Sequence, residues 1–335
     1  HDLRPARALL FLGRRTDESY PLMPSSGNSV IFYTFAYESD QTDGTNVPQL
    51  RLRANAMDNT VTNLSTVSQQ FSETSRSFIP TGAEASLTSL FYVYPEHVDA
   101  TGPQGFYPSF DVVAFSDAYM GTNVYVNSFS ATEVPLADFG TGTELVNYDF
   151  SGQNMPMDGE NPVFASTAVT PPNSITLEHT NQGLSILPSA DFANFNNDGT
   201  GEFSTLTFPF GWWSGEISSW VVDSSKVYRM EYTVGGTATD PANANTFRIR
   251  AAVGNDFVHE TQIGSDSTAH EDFYPSTAGS KTYTSLIKFP SDMDGETVTF
   301  FFDGFYTNFG VKADNGAVIL ESLQVFEHDD PTTVD

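Results

Sequence analysis

The chain has 335 residues and a formal net charge of −28, from 42 acidic and 14 basic residues. This balance argues against nucleic acid as a partner, because the phosphate backbone would be repelled rather than neutralised, and it disfavours docking on an anionic membrane. The absence of cysteine excludes disulfides, thiolate metal sites and a cysteine nucleophile. No stretch approaches the ~18 apolar residues that membrane insertion of a helix requires.

Short apolar stretches separated by polar turns run through the first half of the chain. After an apolar run at 8–12, the predicted strands are VIFYTFAY (30–37), LRLRAN (50–55), LTSLFYVY (87–94), FDVVAF (110–115) and NVYVNSFSA (123–131). Each combines β-branched and aromatic residues or alternates apolar with polar positions, which is typical of strands. No stretch shows sustained helical periodicity, so we predict an all-β fold of antiparallel sandwiches.

The second half repeats this order after three additional strand candidates, LVNYDF (145–150), ITL (175–177) and LSIL (184–187). The repeated strands are VYRMEYTV (227–234), FRIRAA (247–252), a strand that ends before Pro290, TFFFDGF (299–305) and AVILESLQV (317–325). Leu50 and Phe247 lie 197 positions apart, as do Asp43 and Asp240 in the preceding turns. A constant offset over about a hundred residues indicates an internal duplication.

We therefore predict two tandem jelly-roll-like β-sandwich domains. Residues 1–135 form the first, 136–144 a linker, 145–328 the second, and 329–335 an acidic tail. The first copy is predicted to lack the strands that match LVNYDF and SITLEH, which would expose unpaired backbone at a sheet edge. The missing strand is expected from elsewhere in the chain, from a neighbouring molecule by strand addition, or from sequence lost upstream; a smaller first domain is the alternative.

The strand–turn–strand unit VYRMEYTVGGTATDPANANTFRIRAA and its copy VIFYTFAYESDQTDGTNVPQLRLRAN resemble a known class of domains. With the closing strands VILESLQV and VYVNSFSA, they resemble the galactose-binding-like sandwich of carbohydrate-binding modules. The resemblance is closer still to tandem domains of secreted bacterial surface proteins, and it covers residues 30–131 and 145–327. It implies an extracellular or cell-surface protein that binds glycans, tethers enzymes or builds surface structures, often with a structural calcium.

A calcium site is predicted around the stretch NFNNDGTGEFST. Its oxygen ligands stand at positions 1, 3, 5 and 9 of an EF-hand-like loop, although the bidentate glutamate expected at position 12 is Thr205. A plain Asn/Asp/Gly turn is the alternative, and two carboxylates from the first and last strands of the second copy are added by the resemblance. The candidate metal ligands are Asn194, Asn196, Asp198, Glu202, Asp149 and Glu321.

A carbohydrate platform is the second candidate site, because the C–H face of a sugar ring stacks on an exposed aromatic side chain. Trp212, Trp213 and Tyr306 are the candidate residues. Trp212 and Trp213 are adjacent, so in a strand they would point to opposite faces and one could be exposed. The alternative is that both tryptophans belong to the core.

Two pairs of arginines are the third candidate. Arg51 and Arg53 share one face of their predicted strand, as do Arg248 and Arg250. Arginine is enriched at interfaces and pairs well with carboxylates, so we expect contacts within this acidic chain, with a neighbouring molecule or with a ligand.

Catalytic motifs are not evident. His259 and Glu260 are followed by Ile263 rather than the second histidine of HExxH, and no GxSxG, P-loop or dinucleotide fingerprint occurs. We therefore expect a non-catalytic extracellular structural protein that associates with itself in a cell-surface layer or filament, with strand addition and calcium as candidate means. The alternative is a carbohydrate-binding protein that recognises a polysaccharide through exposed aromatic residues.

Overall fold

The computed structural model describes residues 6–11, 27–39, 49–57, 63–70, 83–93, 105–114, 123–151, 157–158, 161–162, 175–188, 206–209, 220–239, 246–253, 256–262, 274–275, 279–289, 291–304 and 316–333. Regular structure here is almost entirely β-strand, which confirms the all-β prediction. The strands of the first copy are β1 Ala6–Phe11, β2 Ser29–Ser39, β3 Gln49–Met57, β4 Asn63–Gln70, β5 Ala85–Val93, β6 Gly105–Ala114 and β7 Val124–Pro135.

A 3-10 helix, Leu136–Phe139, leads into the second copy. Its strands are β8 Thr143–Asp149, β9 Met157–Asp158, β10 Asn161–Pro162, β11 Ile175–Thr180, β12 Gly183–Pro188, β13 Leu206–Pro209, β14 Trp220–Val221, β15 Lys226–Gly236, β16 Thr246–Val253, β17 Asp256–Gln262, β18 Tyr274–Pro275, β19 Lys281–Ile287, β20 Thr297–Gly304 and β21 Val318–Asp329. A second 3-10 helix spans Ser291–Met293. Among the described residues, no helix has the length and apolar character to cross a membrane.

Each copy contributes one small antiparallel sheet. In the first copy the order is β5-β2-β7, and in the second it is β11-β12-β21-β15-β19 with β8 also paired to β21. The central strands β2 and β15 carry the core: Val30, Ile31, Phe32 and Tyr33 are all buried, so both faces of β2 are covered. In β15 the buried Tyr228, Met230, Tyr232 and Val234 alternate with more exposed polar residues, as a half-buried strand requires.

The duplication is confirmed in the pairing of these strands. The β2–β7 ladder and the β15–β21 ladder are both antiparallel, and each contains one register shift. The shift falls between Ala36 and Tyr37 in the first copy and between Thr233 and Val234 in the second, and these positions lie 197 residues apart. A β-bulge changes the local direction of a strand and is a regular feature of a fold rather than a defect. A bulge at the equivalent position of both copies therefore supports an internal duplication.

The remaining long strands form one sheet that runs through both copies, in the order β1-β6-β3-β4-β17-β16-β20-β13. The copies meet where β4 pairs antiparallel with β17, with Ser68 opposite Glu260 and Thr66 opposite Gln262. The strand order on one side of this junction is the mirror of the order on the other. The two sandwiches are therefore joined edge to edge through backbone hydrogen bonds.

The small sheets differ at one edge. In the second copy β21 is covered by β8 and β12 on the side away from β15. In the first copy β7 pairs with β2 alone among the described strands. The described part of the first copy thus has no counterpart of β8, β11 or β12.

Candidate functional site

The segment between the two small sheets is built around Phe139. The 3-10 helix follows Pro135 directly, and the Leu136 N–H donates to the Asn28 carbonyl oxygen at 2.9 Å. This places the Phe139 ring, which is 6% exposed, against the Phe32 ring with centroids 6.0 Å apart. On its other side the same ring meets His328 edge-on at 5.8 Å. Phe139 therefore bridges β2 of the first copy and β21 of the second.

His328 is held by the backbone of that same residue. Its Nδ1 lies 2.8 Å from the Phe139 carbonyl oxygen, which can only accept, so Nδ1 carries the proton and Nε2 has the lone pair. The ring is 2% exposed, and Nε2 has no hydrogen-bond partner within the described part of the chain. Burial is the main cause that lowers the pKa of His328 below 6.5, so the neutral ring is favoured.

A cleft of about 640 Å³ opens above this histidine, where β7 and β21 end. Both strand ends and the intervening segment contribute to it, because the bridge through Phe139 brings them together. We call it the junction cleft; its lining residues are Glu133, Val134, Pro135, Asp138, Phe139, Gly140, Gly142, Thr143, Lys226, Glu327, His328, Asp329 and Pro331. Four carboxylates and one lysine give the lining a formal charge of −3.

The polar side chains of the junction cleft are mostly hydrogen-bond acceptors. Glu133 accepts from the Ser29 hydroxyl at 2.6 Å, and Asp329 accepts from the Lys226 ammonium at 2.6 Å, which raises the pKa of that lysine. Carboxylate oxygens each have further lone pairs, and neutral His328 adds a buried acceptor. Among the polar lining side chains, all except Lys226 and Thr143 can act only as acceptors towards a bound molecule.

The end of β21 is fixed beside the cleft by a buried carboxylate. Asp330 accepts from the Lys288 ammonium at 2.7 Å and from the Thr332 N–H at 2.9 Å. Burial alone would raise the pKa of Asp330, but the hydrogen bonds from Lys288 and Thr332 outweigh it, so the net shift is downward. The stretch predicted as an acidic tail therefore includes a residue that holds the last strand in place.

The predicted metal ligands are not brought together where they are described. Asp149 lies on β8 and accepts from the Ser151 N–H at 2.9 Å. Glu321 lies on the neighbouring β21, and its carboxylate accepts from the Ser280 hydroxyl on the far side of β15. The described residues hold no group of three or more His, Asp or Glu placed to bind a metal ion. The loop ligands Asn194, Asn196, Asp198 and Glu202 lie outside the described residues, so the calcium site stays a prediction.

The predicted carbohydrate and interface residues are described only in part. Trp212, Trp213 and Tyr306 lie outside the described residues. For the arginines the backbone register is described: Arg51 lies opposite Asp111 on β6, and Arg248 lies opposite Asp303 on β20. The equivalent arginine of each copy thus faces an aspartate position on the neighbouring strand of its own chain. Arg53 and Arg250 lie two positions further along the same strands, opposite Ser109 and Phe301.

No pattern in the sequence predicts the junction cleft directly. The stretch 136–144 is predicted to be a linker, although it supplies Asp138, Phe139, two glycines and Thr143 to the lining. One signal is available: the copies match along β7 and β21, and His328 stands where the first copy has Val134. A histidine in place of a buried apolar residue of the other copy is a departure that a repeat comparison can find.

No family model and no curated protein matches the chain. Among solved structures, the tandem CBM22-1–CBM22-2 domain of Paenibacillus barcinonensis Xyn10C is 8% identical, with 90% of this chain and 79% of that chain covered and a TM-score of 0.31. The CBM22-1 xylan-binding domain from the same protein is 14% identical, with 56% and 97% covered and a TM-score of 0.28. The ANXUR1 extracellular domain from Arabidopsis thaliana is 13% identical, with 98% and 89% covered and a TM-score of 0.31.

Likenesses at these scores are too distant to carry an argument about this chain. Its class follows from its own strands: an all-β protein made of two copies of an antiparallel sandwich. The junction cleft belongs to the pair of copies, because neither copy alone supplies its walls.

Proposed function

We propose that this chain is a non-catalytic extracellular protein that binds a neutral polysaccharide in the junction cleft. The observation that carries the proposal is the cleft itself, an open recess between the two copies whose polar lining side chains are mostly hydrogen-bond acceptors. Ligand sites occur preferentially at such domain interfaces.

The chemistry of the lining favours a ligand rich in hydroxyl groups. Sugar hydroxyls donate to carboxylates, and hydrogen bonds to a charged acceptor are shorter and stronger than those between neutral groups. An anionic polymer would meet the formal charge of −3 and be repelled at close range. Neutral glycans are thus preferred over uronic acid polymers, in contrast to the sequence-based expectation, which placed sugar binding on exposed aromatic residues.

Affinity electrophoresis and calorimetry with soluble xylan, hydroxyethylcellulose and polygalacturonate test this proposal. We expect binding to at least one of the neutral polymers and none to polygalacturonate. Asp138→Asn and Glu327→Gln should each weaken binding by about tenfold, the loss of one hydrogen bond to a charged group. Glu178→Gln, an exposed carboxylate on β11 outside the cleft, is the matched control and should bind like the wild type.

Two results would overturn the proposal. One is the absence of binding to either neutral polymer. The other is binding that Trp212→Ala or Trp213→Ala abolishes while Asp138→Asn and Glu327→Gln leave it unchanged. That second outcome would return the site to the aromatic residues predicted from the sequence.

Self-association in a cell-surface layer or filament is the second candidate function, and the uncovered edge of β7 among the described strands favours it. Calcium as a structural cofactor belongs to the same proposal. Light scattering with and without calcium, and electron microscopy of the purified chain, test it. A strict monomer under all conditions would contradict it.

A further inference from the structure

The edge of β7 is a strand-pairing surface whose counterpart in the second copy is covered. Along β21, β8 pairs with Ser322–Glu327 and β12 pairs with Val318–Leu320. Strand β7 has the same length, direction and bulge as β21, yet among the described strands only β2 pairs with it. Its second edge therefore presents a row of backbone donors and acceptors.

Side-chain exposure shows the difference at matched positions. The register places Val126 opposite Tyr37 in the first copy and Leu320 opposite Val234 in the second, so Val126 and Leu320 are equivalent. Leu320 and its neighbour Ile319 are 0% and 6% exposed, whereas Val126 and Tyr125 are 39% and 46% exposed. Large apolar side chains are thus exposed at positions that are buried in the second copy, where β12 pairs with β21.

The composition of this edge permits another copy of the same acidic chain to approach. Residues 124–132, VYVNSFSAT, carry no charge in a chain whose net charge is −28. Edge strands are usually protected by lysine, proline, an inward charge or a bulge. This run has no charge and no proline, and its bulge lies at Asn127. Carboxylates flank the run: Glu133 follows it, Glu38 on β2 lies opposite Tyr125, and Glu84 accepts from the Asn127 amide at 2.7 Å. Two copies can thus meet here without placing like charges opposite each other.

We propose that β7 pairs antiparallel with β7 of a second copy, which makes a twofold dimer. Antiparallel pairing of identical strands is self-complementary, as a twofold interface requires. The fold already uses this mode of association, because β4 and β17 join the two sandwiches edge to edge. The proposal rests on the second candidate function and sharpens it: pairing through β7 closes a dimer, and a filament needs a further interface.

The uncharged run is centred on Ser128, so symmetric pairing places Ser128 opposite Ser128 of the partner subunit. This gives a direct test in a chain without cysteine. Opposite positions of an antiparallel ladder lie ~4.5–5.5 Å apart at Cα, within the range that a disulfide spans. Ser128→Cys should cross-link to a dimer under mild oxidation, whereas Ser291→Cys, exposed on the second 3-10 helix, should not.

Analytical ultracentrifugation supplies the second arm. The wild type should sediment as a dimer of two 36.6 kDa chains, and Ser128→Lys should weaken dimerisation at least tenfold by placing two ammonium groups opposite each other. Ser291→Lys should dimerise like the wild type. Circular dichroism of each variant shows whether it is folded, since Ser128 is exposed and its replacement should leave the fold intact.

The outcomes separate the two claims. A monomeric wild type overturns both self-association and pairing through β7. Hydrogen exchange then shows whether another part of the chain protects the amides of residues 124–132 or whether they are open to a different partner. Association that survives Ser128→Lys, without cross-linking of Ser128→Cys, leaves self-association standing and overturns pairing through β7.

Discussion

Gly142 gives the sharpest test of how the junction is packed. Its φ is +72°, and a Cβ at this position would lie 2.5 Å from the His328 ring. Alanine therefore carries two costs, about 1–2 kcal/mol for the left-handed backbone and about 1–3 kcal/mol for overpacking against a buried ring. We expect Gly142→Ala to lower the free energy of unfolding by about 2–5 kcal/mol, the sum of these two terms.

A matched control separates these costs. Gly295 has φ +80°, and no atom outside Gly295 and its two chain neighbours lies within 4 Å of the position that a Cβ would take there. Gly295→Ala should therefore cost only the backbone term, about 1–2 kcal/mol. Urea unfolding followed by tryptophan fluorescence measures both variants. In a double-mutant cycle with His328→Ala, the packing cost should disappear, with a coupling of about 1–3 kcal/mol. Equal losses for Gly142→Ala and Gly295→Ala, or no coupling to His328, would refute the packing argument.

Two further predictions concern buried titratable groups. Burial lowers the pKa of His328 below 6.5, so the unfolded chain binds the proton at a higher pH than the folded chain does. The free energy of unfolding should therefore fall as the pH drops from 6.5 towards the pKa of the folded state. His328→Val, which introduces the residue found at Val134 in the first copy, should make the free energy of unfolding less dependent on pH in urea titrations at several pH values. Because the pKa of Asp330 is lowered by its hydrogen bonds, its stabilisation is present above pH 3.8 and lost below it. Asp330→Asn should lower the free energy of unfolding by about 1–3 kcal/mol at pH 7, because the charged hydrogen bond between Lys288 and the Asp330 carboxylate is lost. A melting temperature equal to that of the wild type would contradict this.

The sequence is sufficient for the fold class and for the duplication, because both depend on local patterns. The alternation in LRLRAN predicts a strand, and β3 occupies Gln49–Met57. Alternation assigns a residue to a face but does not identify its neighbour, so the opposition of Arg51 and Asp111 is not predicted. The strand NLSTVSQQ, which joins the copies, is largely polar and has no apolar pattern to mark it.

The candidate site is out of reach of the sequence for a related reason. Phe139 and His328 are separated by 189 positions, and each looks ordinary in its own neighbourhood, one in a linker and the other beside an acidic tail. Their contact depends on the return of β21 beside β8, which is a matter of topology. Residue type alone suggests chemistry at the tryptophans and in the Asn/Asp-rich loop instead, and the sequence-based predictions lie there.

The pairing of β4 with β17 also sets an order of events during synthesis. Ser68 meets Glu260, which follows it by 192 positions, so at about 5–20 residues per second the ribosome needs about 10–40 s to deliver the partner strand. Until then β4 lacks the strand that pairs with its outer edge in the complete sheet. The risk of misassembly is thus greatest before the second half of the chain emerges, because the β4 strands of two chains on neighbouring ribosomes can then pair with each other.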